Sequence, residues 1–186
     1  YSKRIVQAMP SAGIMTIEYL ISPRNEVYFL EVNPRIQVEH GITEVLCECD
    51  LAVQQLLIAQ GKELPSKVWS LPNRHALQVR LLAVDPLNNF QPCSGTITRL
   101  RLPRHVRVES GYMEGMYVSP YFDSLLAKLI IAGPTRLDVI HQMQTALMLT
   151  EIQGVPTNLS FIQSILKTDD FLNAAFTTDT DISCFK

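Results

Sequence analysis

The fold is decided by residues 14–33, which read IMTIEYLISPRNEVYFLEVN. Two runs rich in β-branched and aromatic residues, Ile14–Ile21 and Val27–Val32, flank the turn signal Ser-Pro-Arg-Asn at residues 22–25. This pattern is typical of two antiparallel strands joined by a short loop. The stretch therefore predicts a β-hairpin.

Three polar residues interrupt the apolar character of this hairpin. With a four-residue loop, Ile21 pairs with Glu26, and the pairs continue inward from there. Because side chains alternate across a strand, we expect Glu18 and Glu31 to be diagonal neighbours on one face, with Asn33 two residues farther along. A loop one residue longer reverses that parity. The opposite face is suited to a core and carries Met15, Ile17, Ile21, Leu30 and Val32.

Two carboxylates and an amide oxygen on one sheet face indicate a cation site. Like charges that close repel each other unless a cation or a proton intervenes. Hard oxygen ligands of this kind suit magnesium or manganese shared with substrate phosphates. The alternative is that Glu18 and Glu31 are solvated strand residues, and spacing alone leaves both interpretations open.

The segment after the hairpin alternates polar and apolar residues. Arg35, Gln37 and Glu39 alternate with two apolar residues, so an extended segment presents a guanidinium, an amide and a carboxylate on one face. A fixed cation beside a carboxylate is able to hold an oxyanion and take its proton. The alternative is a surface salt bridge. His40, which follows, is interpreted as a structural residue rather than a ligand.

Isolated and clustered arginines occur farther along the chain. Arg80 lies within the apolar run 76–82, where a guanidinium usually needs a carboxylate, a phosphate or a bound anion. Four other arginines form an alternating basic pattern that is interpreted as a solvated face rather than a phosphate or carrier-domain contact: Arg99, Arg101, Arg104 and Arg107.

Composition limits the class of protein. The 186 residues leave room for one domain or two small ones, and hydrophobic residues make up 47%, which excludes disordered and collagen-like classes. Sixteen basic and 18 acidic residues give a net charge of −2, so nothing draws the chain to nucleic acid or to an anionic membrane. No apolar run approaches the roughly 18 residues of a membrane span. No zinc-site spacing occurs among the four cysteines, which are interpreted as reduced thiols of an intracellular protein, cytoplasmic or mitochondrial, rather than as a disulfide framework: Cys47, Cys49, Cys93 and Cys184.

Periodicity predicts strands first and helices after them. Asp50 is suited to cap a helix over Leu51–Gln60 that ends at Gly61, and Thr135 to cap a later helix. The later helix is expected to bury Leu137, Ile140, Met143 and Leu147, and a last one, after Gly154, to bury Leu159, Ile162 and Leu166. The predicted strands are Ala76–Val84, Gly95–Leu102, Val106–Ser110 and Leu125–Ala132. This order favours an α+β fold, and the proline-rich stretch Pro65–Asn73 predicts a connection between two units.

Residues 31–40, EVNPRIQVEH, closely resemble the signature of biotin carboxylases, a branch of the ATP-grasp enzymes. The opening EVNPR is also similar to carbamoyl phosphate synthetase, and the continuation IQVEH selects the biotin-dependent branch. Further similarities occur in the family's order and span nearly all of residues 12–182: HALQVR at 75–80, DP at 85–86, SPYFDSLLAK at 119–128 and GVPTN at 154–158.

The resemblance implies an α+β architecture in two parts. Residues 1–66 would be the C-terminal portion of an ATP-grasp domain, an antiparallel sheet with helices that carries the metal and bicarbonate site. Residues 67–186 would be the biotin carboxylase C-terminal domain. No glycine-rich phosphate loop occurs in the sequence, so the ATP lid of the family is expected before Tyr1. The chain is therefore expected to be a fragment that is inactive without that half.

The resemblance also implies the reaction and the residues that perform it. ATP and bicarbonate give carboxyphosphate, and the carboxyl group passes to biotin on a carrier protein. Glu18, Glu31 and Asn33 would hold two Mg²⁺ or Mn²⁺ ions that bridge the ATP phosphates. Glu39 would deprotonate bicarbonate, and Gln37 and the Val38 backbone would orient it. Arg35 would hold bicarbonate and stabilise the biotin enolate. Arg80 would contact bicarbonate or the ureido oxygen of biotin.

Implied partners are a biotin carboxyl carrier domain, a carboxyltransferase component and a second copy of the chain in a homodimer. The carboxyl acceptor, an acyl-CoA, pyruvate or urea, is left open. Three departures from the family pattern stand at Pro34, Gly41 and Val84; the first two border the implied site. The alternative interpretation is a non-catalytic dimerisation module derived from a biotin carboxylase.

Overall fold

The computed structural model describes residues 1–64 and 73–180. These residues form two compact units, one on each side of the gap. Helices and antiparallel sheets make up both units, so the α+β prediction is confirmed. The predicted boundary between residues 66 and 67, most of the predicted connection Pro65–Asn73 and Cys184 lie outside the described residues. Among the described helices, none is long and apolar enough to cross a membrane.

The first unit contains the predicted hairpin and three helices. Its elements are α1 (Ser2–Ala8), β1 (Thr16–Ile21), β2 (Val27–Asn33), α2 (His40–Cys47) and α3 (Leu51–Ala59). The hairpin and α3 agree with the sequence, and the Asp50 side chain accepts a hydrogen bond from Val53 N at 2.8 Å, which satisfies a helix N-terminal donor. The sequence did not predict α1 or α2.

The loop between β1 and β2 is one residue longer than predicted. Ser22 N donates to Glu26 O at 2.9 Å, and Ile21 pairs with Val27 rather than with Glu26. This loop by itself reverses the parity of the strand that follows.

A β-bulge then restores the parity. The register shifts between Glu18 and Tyr19, so that Tyr19 pairs with Phe29 but Glu18 pairs with Glu31. Leu30 is the extra residue. Glu18 and Glu31 therefore lie directly opposite each other, not diagonally as predicted, and their side chains share one face.

The prediction that the other face of the hairpin forms a core is wrong at Ile21 and Leu30. Ile21 is 64% exposed and Leu30 is 56% exposed, because no described element of the first unit covers them. Met15, Ile17 and Val32 are half-buried.

The described strands of the second unit are β3 (His75–Leu82), β4 (Val84–Asp85), β5 (Gln91–Pro92), β6 (Gly95–Thr96), β7 (Arg99–Arg101), β8 (Arg107–Ser110), β9 (Tyr117–Val118), β10 (Leu125–Gly133) and β11 (Glu151–Gln153). The unit is built on a three-stranded antiparallel sheet in the order β3-β10-β8. The other six of these strands form two-stranded ribbons, β4-β5, β6-β9 and β7-β11. The helices are α4 (Arg136–Met148), α5 (Leu159–Ile165) and α6 (Asp169–Leu172).

The predicted strand Gly95–Leu102 is wrong, because the chain changes partners in its middle. Ile97 N donates to Met116 O at 2.9 Å, whereas Thr98 N donates to Gln153 O at 2.9 Å. The stretch therefore divides into β6, paired with β9, and β7, paired with β11.

The main core packs α4 against β3 and β10. Thr135 Oγ1 accepts from Asp138 N at 3.2 Å, as the capping pattern predicted. The expected stripe is buried at three of its four positions, Ile140, Met143 and Leu147, but Leu137 is 51% exposed. Val139 and Ala146 are buried instead, so the stripe lies further round the helix than the spacing indicated.

Candidate metal and anion site

Four side chains of the first unit form a polar cluster at the open end of the hairpin. Asn33 Nδ2 donates to Glu18 Oε1 at 3.0 Å and to Glu31 Oε1 at 2.8 Å. Gln37 Nε2 donates to the same Glu18 Oε1 at 3.0 Å. The hairpin supplies the first three residues, and the turn that follows β2 supplies Gln37.

The chemistry of this cluster fits a divalent cation. An ionised carboxylate only accepts hydrogen bonds, so the amide nitrogens and not the amide oxygens face Glu18 and Glu31. Two carboxylate oxygens thus lie within 3.0 Å of one nitrogen, Asn33 Nδ2, at a point that attracts positive charge. Hard anionic oxygens so placed are the ligands that Mg²⁺ and Mn²⁺ prefer.

The predicted extended segment after the hairpin is instead a series of turns. Arg35 N donates to Asn33 O at 2.8 Å, and His40 N donates to Gln37 O at 3.1 Å. Such short-range backbone hydrogen bonds close turns, so Arg35, Gln37 and Glu39 do not share a strand face. Arg35 is exposed and its guanidinium donates to Ile36 O at 3.2 Å. The structure therefore brings Gln37, and not Arg35, into hydrogen-bond contact with the carboxylates.

A cavity of about 380 Å³ adjoins this turn. Gln37, Glu39 and His40 line it together with mainly apolar residues of the same unit. Glu39 is exposed immediately before α2, and Val38 is half-buried beside it. His40 Nδ1 lies 2.6 Å from Gln37 O, a contact that holds the turn. Gln37 thus belongs both to the carboxylate cluster and to the cavity wall that carries Glu39.

Arg80 lies on β3 in the second unit. It is exposed between the buried residues Val79 and Leu81, so its side chain points to the opposite face of the sheet from theirs. Asn158 Nδ2 donates to Arg80 O at 3.0 Å, and Asn158 Oδ1 accepts from Leu82 N at 2.8 Å. No role for Asn158 was predicted, although this residue closes the GVPTN motif. Its two hydrogen bonds fix the backbone of β3 on both sides of Leu81.

The sequence also missed a buried ion pair beside Arg80. Lys128 is the register partner of both Arg80 and Glu109 on the two neighbouring strands. Lys128 is 7% exposed, and its Nζ lies 2.6 Å from Glu109 Oε2. Burial by itself raises the pKa of Glu109, but the hydrogen bonds and charges of Lys128 and Arg107 outweigh burial and lower that pKa. The only sequence signal was a lysine inside an apolar run.

The predicted solvated basic face has carboxylate partners. Arg99 Nε lies 3.6 Å from Glu151 Oε2, and Arg101 Nε lies 3.8 Å from the same oxygen. Arg99 Nε is also 3.9 Å from Glu114 Oε1. These contacts favour a self-neutralised surface over a phosphate contact at Arg99 and Arg101.

Comparison with known proteins agrees with the geometry of both units. The family described as biotin carboxylase C-terminal domain matches residues 78–180. The family described as carbamoyl-phosphate synthase L chain, ATP binding domain, matches residues 1–67.

Similar proteins are biotin carboxylases or parts of larger carboxylases. The chain is 38% identical over 178 residues to a biotin carboxylase of Nostoc, covering 94% of this chain and 40% of that protein. It is similar to the biotin carboxylase domain dimer of Hydrogenobacter thermophilus 2-oxoglutarate carboxylase, solved with MgADP, ADP and bicarbonate (TM-score 0.85, 37% identity, 88% of this chain and 37% of that chain). It is also similar to Kluyveromyces lactis urea carboxylase (TM-score 0.92, 32% identity, 96% of this chain and 16% of that chain).

The chain thus spans about two fifths of the length of the Nostoc relative. One family match covers more than half of the chain, and the second covers the unit that carries the carboxylate cluster. On these grounds, the chain belongs to the biotin carboxylase family.

Proposed function

We propose that this chain supplies the metal and bicarbonate site of an ATP-dependent biotin carboxylase. In that reaction a bicarbonate oxygen attacks the γ-phosphorus of ATP and ADP leaves. The carboxyl group of the resulting carboxyphosphate then passes to a biotin nitrogen, which loses its proton, and inorganic phosphate is released. The observation that carries the proposal is the cluster of Glu18, Glu31, Asn33 and Gln37 beside the cavity lined by Glu39.

Glu18, Glu31 and Asn33 are the proposed ligands of two Mg²⁺ or Mn²⁺ ions. Ions held there would neutralise the charge on the ATP phosphates, which is most of what phosphoryl transfer requires. The convergence of both carboxylates on a single nitrogen, at 3.0 Å or less, supports this assignment.

Bicarbonate is proposed to bind in the cavity beside this cluster. Glu39 takes its proton, and Gln37 and the Val38 backbone orient it. The exposed guanidinium of Arg35 holds bicarbonate and stabilises the biotin enolate by its positive charge. Arg80 contacts bicarbonate or the ureido oxygen of biotin, and Asn158 fixes its strand.

The chain is proposed to act with other components. Biotin arrives on a carboxyl carrier domain and is then used by a carboxyltransferase, and two copies of the chain form a homodimer. The dimer named in the Hydrogenobacter thermophilus structure supports the last of these. Family matches over 1–67 and 78–180 support a division of the chain into residues 1–66 and 67–186.

The test transplants this chain into a relative, because the chain spans only part of its relatives. In a chimaera, it replaces the corresponding region of the Nostoc biotin carboxylase, and bicarbonate-dependent phosphate release from ATP is measured with free biotin. We expect turnover within about tenfold of the parent, and a loss of at least about 100-fold in Glu39→Gln, the magnitude typical of a lost general base. A folded chimaera with no bicarbonate-dependent turnover contradicts the proposal and favours a non-catalytic dimerisation module.

A further inference from the structure

Gln37 has a place in the site that its proposed contact with bicarbonate does not explain. Its amide nitrogen is bound to Glu18, while its side chain also lines the cavity that carries Glu39. We propose that Gln37 is a latch that couples the two ligands: it holds Glu18 in the ion-free chain and is released toward the anion when a divalent cation takes Glu18. The inference rests on the proposed function, since it assigns an order of binding to the same site.

Competition for one oxygen carries this inference. Glu18 Oε1 accepts hydrogen bonds from both Asn33 and Gln37, each at 3.0 Å. A carboxylate oxygen has two lone pairs, so these two donors use its accepting capacity. A cation that coordinates Oε1 therefore displaces a donor, and its charge repels the N–H that it displaces.

Gln37 is the donor that such a cation is expected to displace. Asn33 is on a strand and bridges both carboxylates, and it is able to remain by turning its carbonyl oxygen to the ion. Gln37 lies in a turn and contacts only one of the two carboxylates in the described hydrogen bonds. Its released NH₂ group is then a hydrogen-bond donor at the wall of the anion cavity.

The consequence is positive coupling between the binding of the cation and the binding of bicarbonate. Cation binding must break the contact between Gln37 and Glu18, which lowers the affinity for the cation. Bicarbonate then meets a Gln37 amide that no longer donates to Glu18. By linkage, each ligand strengthens the binding of the other by the same factor. Removal of the Gln37 amide is therefore expected to strengthen cation binding, the opposite of what loss of a supporting residue does.

Nuclear magnetic resonance on the unaltered chain tests the release directly. The side-chain ¹⁵N–¹H₂ signals of Gln37, assigned by their absence in Gln37→Met, are followed as Mg²⁺ is added and then bicarbonate. We expect Mg²⁺ to shift the Gln37 and Asn33 signals together, and bicarbonate to shift Gln37 more strongly when Mg²⁺ is present. A Gln37 signal that stays fixed while Asn33 moves overturns the latch.

Manganese affinity provides the second test. Mn²⁺ binding is measured by electron paramagnetic resonance for the chain, for Gln37→Met and for the matched control Gln60→Met at an exposed helix end. We expect Gln37→Met to bind Mn²⁺ more tightly, on the order of tenfold for one hydrogen bond to a charged group, and Gln60→Met to be unchanged. Unchanged or weaker binding in Gln37→Met overturns the latch alone, whereas absence of Mn²⁺ binding in all three overturns the proposed metal site as well.

Discussion

At the scale of single residues, Glu109 compensates the charge of the buried Lys128. Lys128 lies on the central strand of the three-stranded sheet, with 9% of its side chain exposed, and Glu109 lies opposite it on β8. A charge taken out of water is costly unless an opposite charge and hydrogen bonds compensate it. Arg107 contacts the other oxygen of Glu109 at 2.5 Å, so one carboxylate pairs with two cations.

This pair predicts a loss of stability in acid. Because the pKa of Glu109 is lowered in the folded chain from its ordinary value of 4.5, its contribution is complete above about pH 4.5 and is lost as the pH falls through the lowered pKa. Glu109→Gln removes the negative charge that lies 2.6 Å from the buried Lys128 Nζ, and we expect the free energy of unfolding at pH 7 to fall by about 2 kcal/mol. Urea titrations from pH 3 to pH 7 measure both effects.

The exposed Glu63 provides the control for this prediction. Glu63→Gln is expected to leave the free energy of unfolding within about 0.5 kcal/mol of that of the unaltered chain. Equal losses in the two variants, or a Glu109→Gln variant whose stability falls as steeply in acid as that of the unaltered chain, would contradict the role given to the pair.

The hairpin shows that the sequence predicted which side chains share a face but not which residues pair. The sequence predicted correctly that Glu18 and Glu31 share a face, but its pairing was wrong. A five-residue loop and a bulge at Leu30 each shift the register by one residue, and the two shifts together preserve the parity. Leu30 resembles its apolar neighbours, so no local preference marks it as the bulged residue.

At the scale of elements, the GVPTN motif joins separate strands of the second unit. Gly154 has a φ of +98°, and a Cβ there would lie 2.0 Å from Thr96 O and 2.8 Å from Thr98 N. Only glycine allows this approach, which occurs where the chain passes from β6 to β7. Asn158, at the other end of the motif, binds the backbone of β3.

We therefore expect Gly154→Ala to lower the free energy of unfolding by about 3 kcal/mol or more, because both the positive φ and the contact with Thr96 are incompatible with a side chain. Gly111→Ala is the matched control: no atom lies within 4 Å of its added Cβ, and a change below about 1 kcal/mol is expected. Thermal and urea unfolding measure both. A Gly154→Ala variant as stable as Gly111→Ala would show that the close approach is not required.

Helix α2 shows why some elements were not predictable. Alternation over Arg35–Glu39 matched an extended segment, but five residues are too few to distinguish a strand from successive turns. The helix that follows begins after Glu39 with no side-chain hydrogen bond at its N-cap, so the usual start signal is absent from the sequence. Helices α3 and α4, which have side-chain caps at Asp50 and Thr135, were predicted.

At the scale of the whole molecule, the two units differ in how they are stabilised. In the part of the chain that the structure describes, two clusters of buried apolar residues lie in the second unit, whereas Gly41 and Glu44 are the only buried residues among residues 1–64. Glu44 accepts from Leu51 N at 2.7 Å and so links α2 to α3. The content of 47% hydrophobic residues does not indicate this division, because composition does not determine which apolar residues are buried.

The carboxylate cluster therefore depends on the hairpin and its hydrogen bonds rather than on an apolar core. The sequence predicted three of its residues from strand parity and from a resemblance. It did not predict that Gln37 joins them, because that depends on the turns of residues 34–39.

Manganese binding to the whole chain measures whether Glu18 and Glu31 together hold a divalent ion. Electron paramagnetic resonance titrations compare the unaltered chain with Glu18→Gln, Glu31→Gln and, as a control, Glu26→Gln in the hairpin loop. We expect Mn²⁺ affinity to fall by at least about tenfold in each of the first two variants, which lose one anionic ligand, and to be unchanged in Glu26→Gln. Equal Mn²⁺ affinity in all four proteins, or none in the unaltered chain, would contradict this expectation.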